Sequence, residues 1–114
     1  MGTEGILEWK DFEKVRIHVG TVLSAEPFPE ASKPSLRLVI DFGELGVRKS
    51  SAQITQRYAP QDLVGRQVLA VVNFPPKRIA GFKSEVLVLG AVPEDGGVVL
   101  AGPDAKVPDG TRIL

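Results

Sequence analysis

No cysteine occurs anywhere in the chain, and that absence removes disulfides, thiolate metal sites and a cysteine nucleophile together. Histidine is nearly as scarce. His18 is the only one, so histidine-rich metal clusters and the common nucleophile–histidine triads lack their parts. No metal and no cofactor are therefore expected, and an enzyme is the least expected class for want of catalytic groups. No apolar run exceeds a handful of residues, far short of the roughly 20 that a helix needs to cross a bilayer, so membrane insertion is not expected. The stretch Met1 to Trp9 has neither the basic start nor the apolar middle of a secretory leader. Position 6 is Ile, where a myristoylation signal wants Ser or Thr. A cytoplasmic location is the expectation. Repeats and low-complexity segments are also missing.

An excess of charge of either sign is lacking too: 14 Lys and Arg balance 14 Asp and Glu. A net charge of zero argues against strong nucleic-acid binding, but the distribution is uneven. Residues 33 to 83 hold nine cations (Lys33, Arg37, Arg48, Lys49, Arg57, Arg66, Lys77, Arg78 and Lys83) against three anions (Asp41, Glu44 and Asp62), a net +6, while both flanks are acidic. Phosphate contacts are local, so a basic face on a neutral protein can hold RNA with a modest salt dependence. Cations scattered around a barrel, merely solvating it, would have the same composition.

What is present, at 114 residues with 43% hydrophobic content, suffices for one domain with a modest core. Its segments are expected as an N-terminal helix within 1 to 14, a barrel over about 15 to 91, and a C-terminal extension over about 92 to 114. Trp9 and Phe12 are three apart on one side of a short helix over 6 to 14, which must dock to persist. Val15, Ile17 and Val19 alternate with Arg16 and His18 as a half-buried strand, and Gly20 inside it suggests a bulge or bend. Glu26 to Pro34, containing Phe28, reads as a surface loop. Leu36, Leu38, Ile40 and Phe42 form a period-2 face, and Gly43 to Gly46 turns the chain into Val47–Ala52. Residues 53 to 63 lose the alternation and read as a short helix ended by Gly65. Strand four is expected over about Arg66 to Asn73 and strand five over about Glu85 to Ala91, with weak strands near Val98–Leu100 and Thr111–Ile113.

Five short strands with a helix between the third and fourth match an all-β, five-stranded Greek-key barrel of the OB type. An SH3-like barrel or small sandwich accommodates the strands but does not expect the helix. OB barrels present oligonucleotides to the face of strands two and three, which here carries Arg37, Arg48 and Lys49.

The stretch from Asn73 to Glu85 looks built for contact. Pro75 and Pro76 stiffen it and disfavour sheet pairing. Lys77, Arg78 and Lys83 can pair with anionic oxygens, Phe74 and Phe82 offer stacking faces, and Asn73 and Ser84 offer hydrogen bonds, as on a single-strand RNA platform. The alternative is an ordinary polar hairpin whose two phenylalanines turn inward.

The blocks Arg16-Ile-His-Val-Gly20-Thr-Val, Ile40-Asp-Phe-Gly-Glu44, Lys49-Ser-Ser-Ala-Gln-Ile-Thr55, Val71-Val-Asn-Phe-Pro-Pro76 and Ala80-Gly-Phe-Lys-Ser-Glu-Val-Leu-Val-Leu89 resemble the CsaA family. That family consists of free-standing, export-associated chaperones built on the tRNA-binding domain also appended to methionyl-tRNA synthetase. The resemblance runs from about Phe12 to the C-terminus. It implies an OB barrel, a homodimer paired through its terminal extensions, tRNA binding, and binding of unfolded or presecretory polypeptide with a link to the Sec export machinery. The RNA-facing positions it implies are Lys49, Ser50, Gln53, Asn73, Lys77, Arg78, Lys83, Ser84 and Glu85. Arg16, His18, Arg37, Arg48 and Phe82 complete the expected RNA-binding set. His18 stands where the broader domain tends to carry arginine, and it is mostly neutral at pH 7, so Arg16 is the alternative source of charge there. Ser84-Glu-Val-Leu87 replaces the synthetase-type Ser-x-Gly-Met, and Glu85 either lowers RNA affinity or reads a base edge.

Several residues have plainer readings. His18 as a ligand or base competes with a solvent-facing strand residue. Glu44 beside Asp41 fits a turn better than a carboxylate pair. Arg48-Lys49 is either a phosphate contact or a solvated edge that blocks aggregation. Phe28, Phe74 and Phe82 are candidate peptide-binding residues in loops. Trp9, Phe12, Val98, Leu100 and Ile113 are candidates for a dimer interface. Two functions remain: a tRNA-binding module that also acts as an export-associated chaperone, or a purely polypeptide-binding chaperone with vestigial RNA affinity.

Overall fold

The structure, a computed structural model, describes residues 5–114; the leader reading over Met1 to Glu4 lies outside the described residues. Within the expected N-terminal segment the helix is short, α1 (Trp9–Glu13). The barrel strands are β1 (Ile17–Pro27), β2 (Leu36–Asp41), β3 (Val47–Ala52), β4 (Gln67–Val71) and β7 (Leu87–Val88), hydrogen-bonded in the order β3-β2-β1-β4-β7. Between β4 and β7 the chain makes a separate hairpin of β5 (Lys77–Ile79) and β6 (Phe82–Ser84). The extension adds β8 (Gly90–Ala91) paired with β9 (Val99–Leu100), and β10 (Arg112–Ile113) paired with β1. All pairings are antiparallel.

The alternation in β2 holds: Leu36, Leu38 and Ile40 are buried while Arg37, Val39 and Asp41 face outward. Leu36, Leu38 and Ile40, with Val22, Phe42, Ala52, Ile54, Leu63, Val68, Ala70 and Val86, form one apolar core. Alternation places every second side chain inside the barrel, so burial of that set fixes the register.

The sheet closes through one backbone bond and several side-chain bonds. The Glu85 N–H donates to Lys49 O at 2.8 Å, and the Ser51 N–H donates to Ser84 Oγ at 3.0 Å. The Lys49 N–H donates to Glu85 Oε1 at 3.1 Å, and Ser50 Oγ donates to Val86 O at 2.9 Å. The outer edge of β3 therefore leaves few free backbone groups along 49–51, and the sheet becomes a nearly closed OB-type barrel.

Three local expectations change. The helix between strands three and four is a single 3-10 turn, Pro60–Asp62, with Pro60 at its first position. Residues 53–59 are irregular: Ile54 and Tyr58 have the i, i+4 spacing of one helix face, but Leu63 would fall on the opposite face, so the three cannot cover one side of a continuous helix. Gly20 does not mark the bulge: β1 runs through it and the register shifts between Val22 and Ser24. Its hydrogen is required for packing, since a Cβ there would lie 2.6 Å from Ile40 Cγ2 and 2.7 Å from the Phe42 ring. Strand five is broken into β7 and β8, and residues 84–86 bond to β3 instead.

Residues 101–113 form a strap along β1 and β4. Gln67 exchanges bonds with Val107 (Nε2 to O at 2.7 Å, N–H to Oε1 at 3.1 Å), and Thr21 Oγ1 donates to Asp109 Oδ1 at 2.6 Å. Arg112 Nη2 donates to Glu13 O at 2.9 Å, which brings α1 to the same end of the sheet as β10.

Candidate nucleic-acid interface

The β5–β6 hairpin turns at Ala80 and Gly81, both at positive φ (47° and 81°), as in the type I′ turns that match strand twist. Its register opposes Lys77 to Ser84, Arg78 to Lys83, and Ile79 to Phe82. Opposed residues share a face, so Phe82, Ile79, Lys77 and Ser84 lie on one side and Arg78 with Lys83 on the other. Phe82 determines which side is inward: its ring packs edge-on against Phe28 at 5.3 Å between centroids. The hairpin thus folds over the outer face of β2 and β3 and turns Arg78 and Lys83 to solvent.

Arg37 locks this arrangement. Its guanidinium carbon lies 5.2 Å from the Phe28 centroid and 6.0 Å from that of Phe82, and Nη2 pairs with Glu26 Oε1 at 2.9 Å. Lys49 Nζ sits 5.2 Å from the Phe82 centroid. Phe82 is therefore flanked by a ring and two cations.

Two grooves, each of about 380 Å³, meet beside the hairpin. One is lined by Ser51, Gln53, Phe74, Pro75, Lys77, Ile79 and residues 84–87, the other by residues 31–33, Ser35, Ser51, Gln53 and residues 77–79. Ser51, Gln53, Lys77 and Ile79 belong to both, so Lys33, Lys77 and Arg78 border one continuous surface. The exposed ring of Phe74, 54% accessible, forms part of the wall. A depression of about 480 Å³ elsewhere, bordered by Arg66, Gln67, Asp104 and Lys106, contains none of the expected RNA-binding residues.

The expected set therefore divides. Gln53, Lys77, Arg78, Ser84 and Glu85 border the grooves, and Phe74 joins them. Lys83 lies opposite Arg78 on the exposed side. Ser50 is 1% exposed with its hydroxyl bonded to Val86 O, so it is not available to RNA. Arg48 and Lys49 do not act together, because adjacent strand residues face opposite ways; Arg48 Nε donates to Leu45 O at 3.1 Å, away from the hairpin. Asn73 ties down the N-terminal segment, accepting from the Arg16 N–H at 3.0 Å and donating to Lys14 O at 2.7 Å. His18 Nδ1 is 2.8 Å from Gly110 O, on the strap side of β1. Arg57 bonds to Gly97 O and Asp95, and Arg66 covers Tyr58, so neither reaches the hairpin surface.

Phe28 is 3% exposed and is not a loop contact for peptide; Phe82, half-buried, is also committed to packing on Phe28 beside Arg37 and Lys49. Of the interface candidates, Trp9 is exposed, Phe12 is half-buried against it at 5.6 Å, Val98 and Leu100 pack on the chain's own core, and Ile113 pairs with Ile17. Sequence reasoning missed Ser51, Ile79 and Lys33 as groove residues. The period-2 pattern puts Ser51 on the Lys49 face, a signal that the sequence carries; Lys33 approaches β5 only through the fold.

Comparison with known proteins agrees with this architecture. The family described as "Putative tRNA binding domain" matches residues 17–112. Among solved structures, the chaperone CsaA from Bacillus anthracis is 59% identical with a TM-score of 0.92, covering 96% of this chain and 100% of that one. The CsaA chaperone protein from Picrophilus torridus is 47% identical with a TM-score of 0.88, over 96% and 100% of the two chains. A methionine–tRNA ligase from Porphyromonas gingivalis is 41% identical over 107 residues, 94% of this chain. The chain spans 15% of that ligase's length. With the domain match running over residues 17–112 and 59% identity across the whole of the Bacillus anthracis chain, the chain belongs to the tRNA-binding domain family and, within it, to the CsaA family.

Proposed function

We propose that the protein binds tRNA through the outward face of the β5–β6 hairpin and the grooves beside it, and that it acts without catalysis as an export-associated chaperone of the CsaA type. The observation that carries the RNA reading is the Arg78–Lys83 pair. Like charges placed directly opposite each other on a hairpin are destabilising, and an anionic partner between them removes that cost. Lys77 and Lys33 extend the same cationic surface. Retention of tRNA on filters at increasing salt tests the reading: log affinity is expected to fall against log salt with a slope of about −2 to −4, for roughly as many phosphate contacts, and retention indifferent to salt overturns it.

The chaperone reading is supported by Phe74, Ile79 and Leu87 along the groove wall, an apolar strip beside polar groups. It is the basis of the second reading, a polypeptide-binding chaperone with vestigial RNA affinity. Suppression of aggregation of a denatured client locates the peptide site: suppression abolished by excess tRNA indicates one shared surface, and suppression unaffected by tRNA indicates separate sites. Presecretory polypeptides and the Sec machinery are the proposed partners in a cytoplasmic setting. A homodimer is proposed through the terminal segments, where Ile6, Leu7, Trp9 and Leu114 are each more than 60% exposed. Sedimentation of the native chain and of Trp9→Ala tests it; a native chain that sediments as a monomer overturns it.

A further inference from the structure

We infer that the groove between β3 and the hairpin is a pocket for one unpaired guanine base of the bound RNA, with Glu85 reading its Watson–Crick edge. This rests on the RNA-binding reading and names the part of the ligand that this groove takes. Its volume of about 380 Å³ lies at the small end of ligand sites, suited to a base with its sugar. Phe74 offers an exposed ring for stacking, and Lys77 borders the same space. Single-stranded RNA is read in this way, by splaying a base onto an aromatic side chain and bonding its edge.

Charge decides what lies at the polar end. Among the described residues, Glu85 is the single carboxylate lining either groove. A backbone phosphate beside it would be repelled, so the phosphates belong with Lys77, Arg78 and Lys83, whereas a base edge rich in donors is attracted. An ionised carboxylate only accepts. Oε1 takes the Lys49 N–H and Oε2 has no hydrogen-bond partner among the described residues. Guanine alone among the four bases presents two adjacent donors, N1–H and the N2 amine; adenine and cytosine present one amine beside a ring acceptor, and uracil one N–H between carbonyls. Ser84 Oγ already accepts the Ser51 N–H, leaving its own proton for an acceptor such as guanine O6.

The test uses the full chain and fluorescein-labelled, uridine-flanked pentaribonucleotides whose central residue is guanosine, inosine or adenosine, read by anisotropy at fixed salt. Guanosine is expected to bind about tenfold more tightly than adenosine, with inosine, which lacks the N2 amine, between them. Glu85→Gln retains an acceptor for the Lys49 N–H but replaces the other oxygen by a donor, and is expected to abolish the preference. Phe74→Ala is expected to weaken all three probes alike. Equal binding of the three probes, with tRNA still bound in a salt-sensitive way, overturns the base pocket and leaves the RNA reading intact. No salt-sensitive binding of any RNA overturns both. An arginine-bearing tetrapeptide, whose guanidinium presents the same paired donors, that shifts the amide resonances of Phe74 and Glu85 where the oligonucleotides do not, assigns the groove to polypeptide and overturns the inference. Should Glu85→Gln fail to fold, the guanosine-to-adenosine ratio on the native chain decides alone.

Discussion

Ser50 donates its hydroxyl to the Val86 carbonyl at 2.9 Å from inside the barrel, joining β3 to the segment that follows the hairpin. Both residues are at least 95% buried, so bulk solvent does not reach this bond. Ser50→Ala is expected to destabilise the fold by about 1 to 3 kcal/mol, the range for stranding a buried acceptor. Urea denaturation measures this, and the salt slope of tRNA retention should not change. A changed slope with unchanged stability would return Ser50 to the RNA surface.

Gly20 is held by contact with the core. A methyl group at this position would lie 2.6 Å from Ile40 Cγ2 and 2.7 Å from two atoms of the Phe42 ring, and all three residues are fully or nearly fully buried. Gly20→Ala should therefore cost about 1 to 3 kcal/mol by overpacking, even though alanine suits a strand better than glycine does. Thermal melting gives the sign. A neutral or stabilising result would show that β1 can move away from the core.

The difference between those two positions shows what the sequence could reveal. The alternation of Leu36, Leu38 and Ile40 is local, and burial of one face makes β2 legible at once. That residues 73–85 stand outside the barrel sheet is legible too, since prolines and cations leave the segment little reason to join it. Ser50, Ser84 and Glu85 carry the residue types of a polar site, but each meets a partner 33 to 36 positions away across the barrel seam, and no local pattern announces that closure. Phe28 is illegible for a related reason: a phenylalanine between prolines in a loop reads as exposed until Arg37 and Phe82 are folded over it. The split between Arg48 and Lys49 needs only the period of the strand.

Arg37 should act on the hairpin rather than on RNA directly. It bridges Glu26, Phe28 and Phe82, with cation–π contacts worth roughly 0.5 to 2 kcal/mol and an ion pair that solvent weakens to about 0.2 to 1 kcal/mol. Arg37→Met retains part of the apolar stem and removes the charge. Amide exchange across Lys77–Ser84 is expected to quicken while the core strands stay protected. Unchanged exchange in the hairpin would mean that Phe82 anchors it without Arg37.

Not every cation in the basic middle of the chain should matter to tRNA. Arg57 is bonded to Gly97 O at 2.7 Å and to Asp95 at 3.4 Å, whereas Lys77 and Arg78 are exposed on the hairpin beside the grooves. The double change Lys77→Ala, Arg78→Ala should weaken tRNA binding by about 1 to 3 kcal/mol and lower the salt slope by about 2, one for each phosphate no longer neutralised. Folding should be nearly intact, since exposed substitutions are mild. Arg57→Ala removes one charge from the same +6 segment but should leave the slope unaltered. If both variants lower the slope in proportion to the charge removed, binding follows the net charge of the segment and the hairpin has no special place in it.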